Sequence, residues 1–333
     1  MSETGVGHPK GMRIGYFLSS EEYSPTELVR QARLAEDAGF DALWISDHFH
    51  PWNDAQGESG FVWSVIGAVS QVCSLPVTTA VTCPTVRIHP AIIAQAAATS
   101  AVLTGDRFTL GVGSGEALNE HITGSRWPSI ELRLEMLEEA ITVIRELWRG
   151  QYTTHHGSHY TVENARIYSL PATPPKIFVS GFGPLAAALA GRIGDGFVTT
   201  SPDKDAIETF RSNGGGGKPL QAGYKVCWGP DDDRCVDTAH ELWANSGVPG
   251  ELSQILPSPA HFEQASSLVT KEMTRDSIAY GNDVDRHVDA FRPYAEAGFD
   301  EVYISQMGGA RAGSQVDGFF EFYGPLLQRL REL

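Results

Sequence analysis

Three stretches of the chain repeat one arrangement of apolar and polar positions. Leu28–His48, Ala186–Ser201 and Phe291–Gln306 each read as an amphipathic helix, a glycine stop (Gly39, Gly194, Gly298), a very short loop and a β-branched or aromatic run ending in polar residues. Helix, glycine, loop and strand in that order form the αβ half-unit of a parallel sheet. Further strands are expected at Arg13–Leu18, Val77–Thr82, Phe108–Gly113, Lys176–Ser180 and Gly223–Trp228. About eight evenly spaced strands with helices between them favour a closed (β/α)8 TIM barrel, an α/β fold, although periodicity alone leaves an open doubly wound sheet possible. The clearest helix spans Ile130–Arg149, with apolar residues at helical spacing, Ser129 as its cap and Gly150 as its stop. Between about Ser212 and Asn282 the pattern weakens into GGGGK, PDDD and LPSPAHF, which read as an insertion over the mouth of one barrel domain spanning 1–333.

Composition changes this picture only by exclusion. The 333 residues are 41% hydrophobic and 20% charged, as in an ordinary globular protein. A formal net charge of −16 repels phosphate backbones and anionic lipid, so neither nucleic acid nor membrane is an expected partner. Four scattered cysteines without a CxxC pair make no disulfide framework or zinc site, and the eleven histidines show no metal-ligand spacing with carboxylates. The short polar start, Met1 to Gly11, and the lack of an apolar run of roughly 20 residues point to a cytoplasmic enzyme.

The candidate chemistry lies where strands end, because the C-terminal ends of barrel strands face the active site. Ser46-Asp47-His48-Phe49-His50-Pro51-Trp52 follows one such strand. His48 could exchange a proton near neutral pH, Asp47 could hold a cofactor edge or bias its neighbour, and Trp52 offers a flat wall. The alternative is a capping histidine beside a core tryptophan. Gly111-Val112-Gly113-Ser114-Gly115-Glu116 follows a second strand, where small residues admit a ligand to the backbone and Glu116 supplies a carboxyl. It is a poor dinucleotide fingerprint, since no acidic partner closes a strand about 20 residues later. Cys83 reads as an inert buried thiol. Ser180-Gly181-Phe182-Gly183-Pro184 opens a helix and suits a phosphate, though taken alone it is only a turn.

Together, IGYFLSSEEYSP, SDHFHPW, PTVRIHPAIIAQAAATSAVL, RFTLGVGSGEALNE, SGFGPLAAALAGRIGDGF and AEAGFDEVYI resemble the bacterial luciferase-like monooxygenase superfamily. The resemblance is strongest to its branch of coenzyme F420-dependent glucose-6-phosphate dehydrogenases. It implies a barrel whose mouth binds the deazaflavin F420 and exchanges a hydride at its C5. By that resemblance His48 takes the substrate's hydroxyl proton, Glu116 protonates or polarises the cofactor ring, and Trp52 stabilises the substrate. Asp47, Ala80, Val81, Ser114 and Asn119 would contact the ring, with a non-prolyl cis peptide at Ala80-Val81. Gly181, Phe182 and Gly183 would hold the cofactor phosphate and Glu21 would face the substrate, while His50, extra to the family pattern, is read as a second substrate-facing residue. Arg107 or Lys204 could balance the cofactor's anionic tail.

The family's sugar-phosphate cations align near Asp203, Ser253 and Ser277, none of them basic, with Lys204, Lys271 and Arg275 close by. An aspartate repels a phosphate dianion, so the expected substrate is an alcohol or carbonyl compound other than glucose 6-phosphate. Sugar-6-phosphate oxidation by F420 and FMN-dependent oxygenation are the alternatives. A homodimer is expected from the resemblance alone.

Overall fold

In chain order the strands are β1 (Arg13–Leu18), β2 (Leu43–Ile45), β3 (Val77–Thr79), β4 (Phe108–Val112), β5 (Thr153–His156), β6 (Thr161–Ala165), β7 (Lys176–Ser180), β8 (Gly196–Thr199), β9 (Leu220–Trp228), β10 (Ala279–Gly281) and β11 (Glu301–Gln306). They come from a computed structural model that describes residues 11–312 and 316–333. The polar start therefore lies outside the described residues as far as residue 10. Eight strands close into a barrel in the order β1-β2-β3-β4-β7-β8-β9-β11, every neighbouring pair parallel. The expected (β/α)8 barrel is thus the observed fold. No helix among the described residues is long and apolar enough to cross a membrane.

Strand alternation divides the core in two. Ile14, Tyr16 and Leu18 of β1 turn outward into the layer beneath the helices, whereas Phe17 turns inward. Inside the barrel, Trp44 stacks on Tyr303 with ring centroids 4.4 Å apart and planes 11° from parallel. Phe178, Val198 and Ala42 complete this filling, and the Trp44 indole N–H donates to Gln221 Oε1 at 3.0 Å. Two glycines make room for the stack. A Cβ at Gly15 would lie 2.2 Å from the Tyr303 ring, and one at Gly223 would lie 2.8 Å from Trp44.

Several boundaries differ from the sequence reading for identifiable reasons. Gly39 and Gly298 end their helices in the left-handed conformation, but Gly194 is extended. Its reason is space, since a Cβ there would come within 2.8 Å of the Ala190 carbonyl oxygen. The strand expected over Val77–Thr82 stops at Thr79, the following Ala80-Val81 peptide is cis, and Thr82 pairs with Val112 as an isolated bridge. The β5–β6 hairpin went unread because its residues alternate too few apolar positions to announce a strand. The weak pattern after β9 resolves into the helices Asp232–Trp243, Leu252–Ile255, Pro259–Ser266 and Lys271–Ser277, followed by β10 against the end of β9.

The Gly15→Ala variant tests the filled interior. Overpacking against a ring already locked by its stack should cost about 2–3 kcal/mol and lower the thermal midpoint by roughly 5 °C. An unchanged midpoint would show that Tyr303 has room to move.

Candidate active site

The mouth of the barrel gathers side chains that the sequence scatters. Along β2 and beyond, Trp44 fills the interior and Ser46 lies one step higher, where its hydroxyl donates to Glu21 Oε2 at 2.6 Å. Ser19 donates to the same oxygen at 3.0 Å. His48 follows, its Nε2 3.4 Å from Glu21 Oε1 and 3.8 Å from Glu116 Oε2. Its Nδ1 has two neighbours, the His50 carbonyl oxygen at 3.2 Å and Asn119 Nδ2 at 3.1 Å. The carbonyl accepts from a protonated Nδ1 and leaves Nε2 free to accept, whereas the amide donates to a bare Nδ1 and leaves the proton on Nε2. The site therefore accommodates both tautomers.

Asn119 is the hub of this arrangement. Its Oδ1 accepts from the backbone N–H groups of Phe49 and His50, and its Nδ2 donates to Glu116 Oε2 at 3.1 Å. Glu116 begins the short helix Ala117–Glu120 without using its carboxyl as a cap. Although 31% of its side chain stays accessible, burial of the carboxyl among protein groups raises its pKa, with the charge of His48 opposing and that of Glu21 adding. Burial alone would also raise Glu21, but His48, the Ser46 hydroxyl, its own backbone N–H and Lys225 outweigh it and hold the pKa below the usual range. The two carboxylates beside one imidazole are thus pushed apart in acidity, Glu21 toward its charged form and Glu116 toward its protonated one.

Trp52 lies against His48 with centroids 5.0 Å apart and is met edge-on by Phe262 of the helix Pro259–Ser266. Asn53 and Gln56 donate to the Leu242 carbonyl, which pins this loop to the segment after β9. His50 does not join the cluster. Its Nδ1 is bound to the Leu118 carbonyl and its ring lies beside His121. Asp47 is buried, with one carboxylate oxygen accepting from Arg87 at 2.8 Å and the other from Thr82 at 2.8 Å.

Ala80-Val81, Gly113-Ser114 and the end of β7 form a continuous wall. A Cβ at Gly113 would lie 2.8 Å from Val81 Cγ2 and 3.6 Å from Ser180 Cβ. Beyond it, Gly183 opens the helix Pro184–Ile193 with no side-chain cap, leaving first-turn N–H groups for an anion, and Phe182 is exposed beside it. A small, mostly apolar wall ending at an uncapped helix start is the shape a flat ring with a phosphate arm requires.

Sequence reasoning missed the cations. Arg87 holds Asp47 and Glu120 together; Arg133 donates to the Gly115 carbonyl and to Gln254, joining the β4 loop to the segment after β9. Lys225 lies over the Trp243 ring at 4.4 Å. Arg133 and Lys225 stand within no motif, and although Arg87 belongs to the stretch PTVRIHP, only the fold brings its carboxylate partners to it. Conversely, Arg107 immediately precedes β4 and sits at the opposite end of the barrel from the mouth, while Lys204 is exposed after β8. Lys271 and Arg275 pair on the surface with Asp237 and Asp233, and Asp203 caps a helix. Cys83 is buried with its thiol pushed well up by burial. Among the described residues no group of three or more His, Cys, Asp or Glu could hold a metal ion.

Residues 12–301 match the family described as luciferase-like monooxygenase. The chain is 33% identical over 336 residues, covering 96% of itself and 98% of its relative, to the F420-dependent glucose-6-phosphate dehydrogenase of Microbacterium testaceum. It is 34% identical over 303 residues, 89% of itself and 83% of the relative, to the F420-dependent hydroxymycolic acid dehydrogenase of Mycobacterium tuberculosis. A solved F420-dependent secondary alcohol dehydrogenase, in complex with an F420-acetone adduct, superposes with a TM-score of 0.87 at 29% identity, covering 96% of this chain and 99% of that one.

Glu22 provides a pH signature of the mouth. Burial raises its pKa to about 7 despite hydrogen bonds from Trp243 Nε1 and the Gly308 N–H. A carboxyl raised from 4.5 to about 7 binds more protons folded than unfolded, so its contribution is full below pH 4.5 and is lost as pH rises through 7. Glu22→Gln should remove a slope of at most about 1.4 kcal/mol per pH unit across that window. Thermal melts at pH 5 and pH 7.5 measure it, and an undiminished difference between them in the variant would refute the assignment.

Proposed function

Starting from the luciferase-like monooxygenase family, to which the chain belongs, we propose that this F420-dependent oxidoreductase moves a hydride between an alcohol or carbonyl carbon and its cofactor. The observation that carries the reading is His48, held between Glu21 and Glu116 against Trp52. Bound F420 supplies a two-electron acceptor at C5. Ala80, Val81, Ser114 and Asn119 would hold its ring, and Gly181, Phe182 and Gly183 its phosphate.

The chain's own groups manage the proton. With its proton on Nδ1 toward the His50 carbonyl, His48 presents a bare Nε2 to the substrate hydroxyl. As Nε2 gains that proton, the Glu21 carboxylate at 3.4 Å stabilises the imidazolium. Glu116, whose pKa burial raises, is the weaker acid of the two carboxyls and the group placed to pass a proton across the pocket. Trp52 and Phe262 exclude water from one side of the reacting carbon.

An uncharged substrate suits this mouth better than a sugar phosphate. Lys271 and Arg275 already face aspartates on the surface, and Asp203 stands where a phosphate cation aligns. Within 212–282, Leu220–Trp228 is the barrel strand β9, and we read the helices that follow it, from Asp232 to Ser277, as an insertion within one domain that forms the substrate wall. The uncharged helix Pro90–Leu103 exposes Ile92, Val102 and Leu103, which supports a homodimer.

The test titrates the protein with F420 by fluorescence, then follows bleaching of the cofactor by uncharged secondary alcohols and by glucose 6-phosphate. Alcohols should bleach it and the sugar phosphate should not. His48→Ala should keep F420 affinity and lose about 100-fold or more in kcat. Undiminished turnover would remove His48 as the base.

A further inference from the structure

One layer above the Trp44–Tyr303 stack, two polar side chains meet on the wall of β9 and β11. Lys225 and Ser305 are direct neighbours in the parallel register of these strands. Each lies two residues beyond an inward position, Gly223 and Tyr303, so strand alternation directs both into the barrel mouth.

Both lack an acceptor. The Ser305 hydroxyl belongs to a residue only 1% exposed and has no hydrogen-bond partner among the described residues. The Lys225 ammonium rests on the Trp243 face, and among the described residues no carboxylate comes within the 4.0 Å of an ion pair. Glu21 and Glu22 are near enough to favour its charge without binding it directly. An ammonium offers three donors, and a hydroxyl adds one donor and two lone pairs. Leaving such groups unpaired in a pocket is costly, and one oxygen arriving from the mouth would satisfy both.

Position and charge define that oxygen. Around the barrel, β9 and β11 stand across from β3 and β4, whose loops form most of the wall assigned above to the cofactor. Lys225 stands on Trp243, whose indole N–H donates to Glu22, and the adjacent Glu21 lies 3.4 Å from His48, so this pair borders the place where the reacting hydroxyl is expected. An anionic group here would be repelled by Glu21 and Glu22, whereas a neutral oxygen would not.

We propose that Lys225 and Ser305 form a second oxygen subsite, and that the physiological alcohol is a vicinal diol, carrying a neutral hydroxyl beside the one that reacts. The inference rests on the hydride-transfer reading and adds the substrate class to it. In that reaction the C–H bond breaks with its electron pair, which together with one proton reduces F420. The O–H proton passes to His48, the C–O bond becomes a carbonyl, and the neighbouring hydroxyl stays intact on a hydroxyketone product.

The experiment compares butane-2,3-diol with butan-2-ol as reductants of F420 on the purified protein. The wild type should favour the diol about tenfold in kcat/KM, and Ser305→Ala, a near-isosteric change, should reduce that preference about five- to tenfold. Lys225→Met should abolish it, with Lys225→Arg restoring part. Equal use of both alcohols by the wild type, or an unchanged preference in Ser305→Ala, overturns the subsite and leaves the dehydrogenase reading standing. Failure of every alcohol to bleach the cofactor overturns the dehydrogenase reading, and the subsite with it.

Discussion

The stack of Trp44 on Tyr303 is the contact on which the mouth of this barrel depends. It fills the waist of the barrel, so the pocket above has a floor and its polar groups do not open onto a water channel. The strands that supply the stack also supply the chemistry above it. Ser46 follows Trp44 by two residues, Ser305 follows Tyr303 by two, and Lys225 follows Gly223 by two. A tilt of either ring would carry through the pleat to all three. The stack in turn exists because Gly15 and Gly223 withhold the side chains that would occupy its volume.

Above this floor the protein concentrates acidic groups that would otherwise repel one another. Glu21, Glu22, Asp47, Glu116 and Glu120 all line or support the mouth, and three cations divide them. Arg87 stays firmly charged because two carboxylates face it, although burial works against it. Glu120, with one cation and a like-charged neighbour in Asp47, is pushed up to about 7 by burial. The net charge of the chain says little about these balances, since buried pairs are governed by their nearest partners rather than by the sum over the surface.

The fold was largely legible because helix, glycine and strand recur with a local signature. The strand ends bearing His48, Glu116 and Gly181 were legible for the same reason, each closing an apolar run. Arg87, Arg133, Lys225 and Ser305 were not. They reach the mouth through pairing and packing between distant parts of the chain: Arg87, in a turn, looks like any solvated charge until the fold sets Asp47 and Glu120 against it, and Arg133, on a helix, until the fold brings it the Gly115 carbonyl and Gln254. His50 illustrates the converse. Its place in the motif suggested a substrate-facing ring, but that ring is bound to the Leu118 carbonyl, a contact that no spacing encodes.

The circumference of the barrel follows the order of the chain. The wall formed by Ala80, Val81, Gly113, Ser114 and Gly181 belongs to the earlier part of the chain, up to the turn after β7, whereas Lys225, Trp243, Phe262 and Ser305 belong to the later part. With that wall holding the electron carrier as proposed, a lineage could exchange or rebuild the later part, and with it the range of molecules oxidised, while inheriting the carrier's berth unchanged. Arg133 marks the limit of that freedom. Its guanidinium donates to Gly115 on one side and to Gln254 on the other, so descendants that remodel the later part must either keep this tie or find another means of holding the two parts in register.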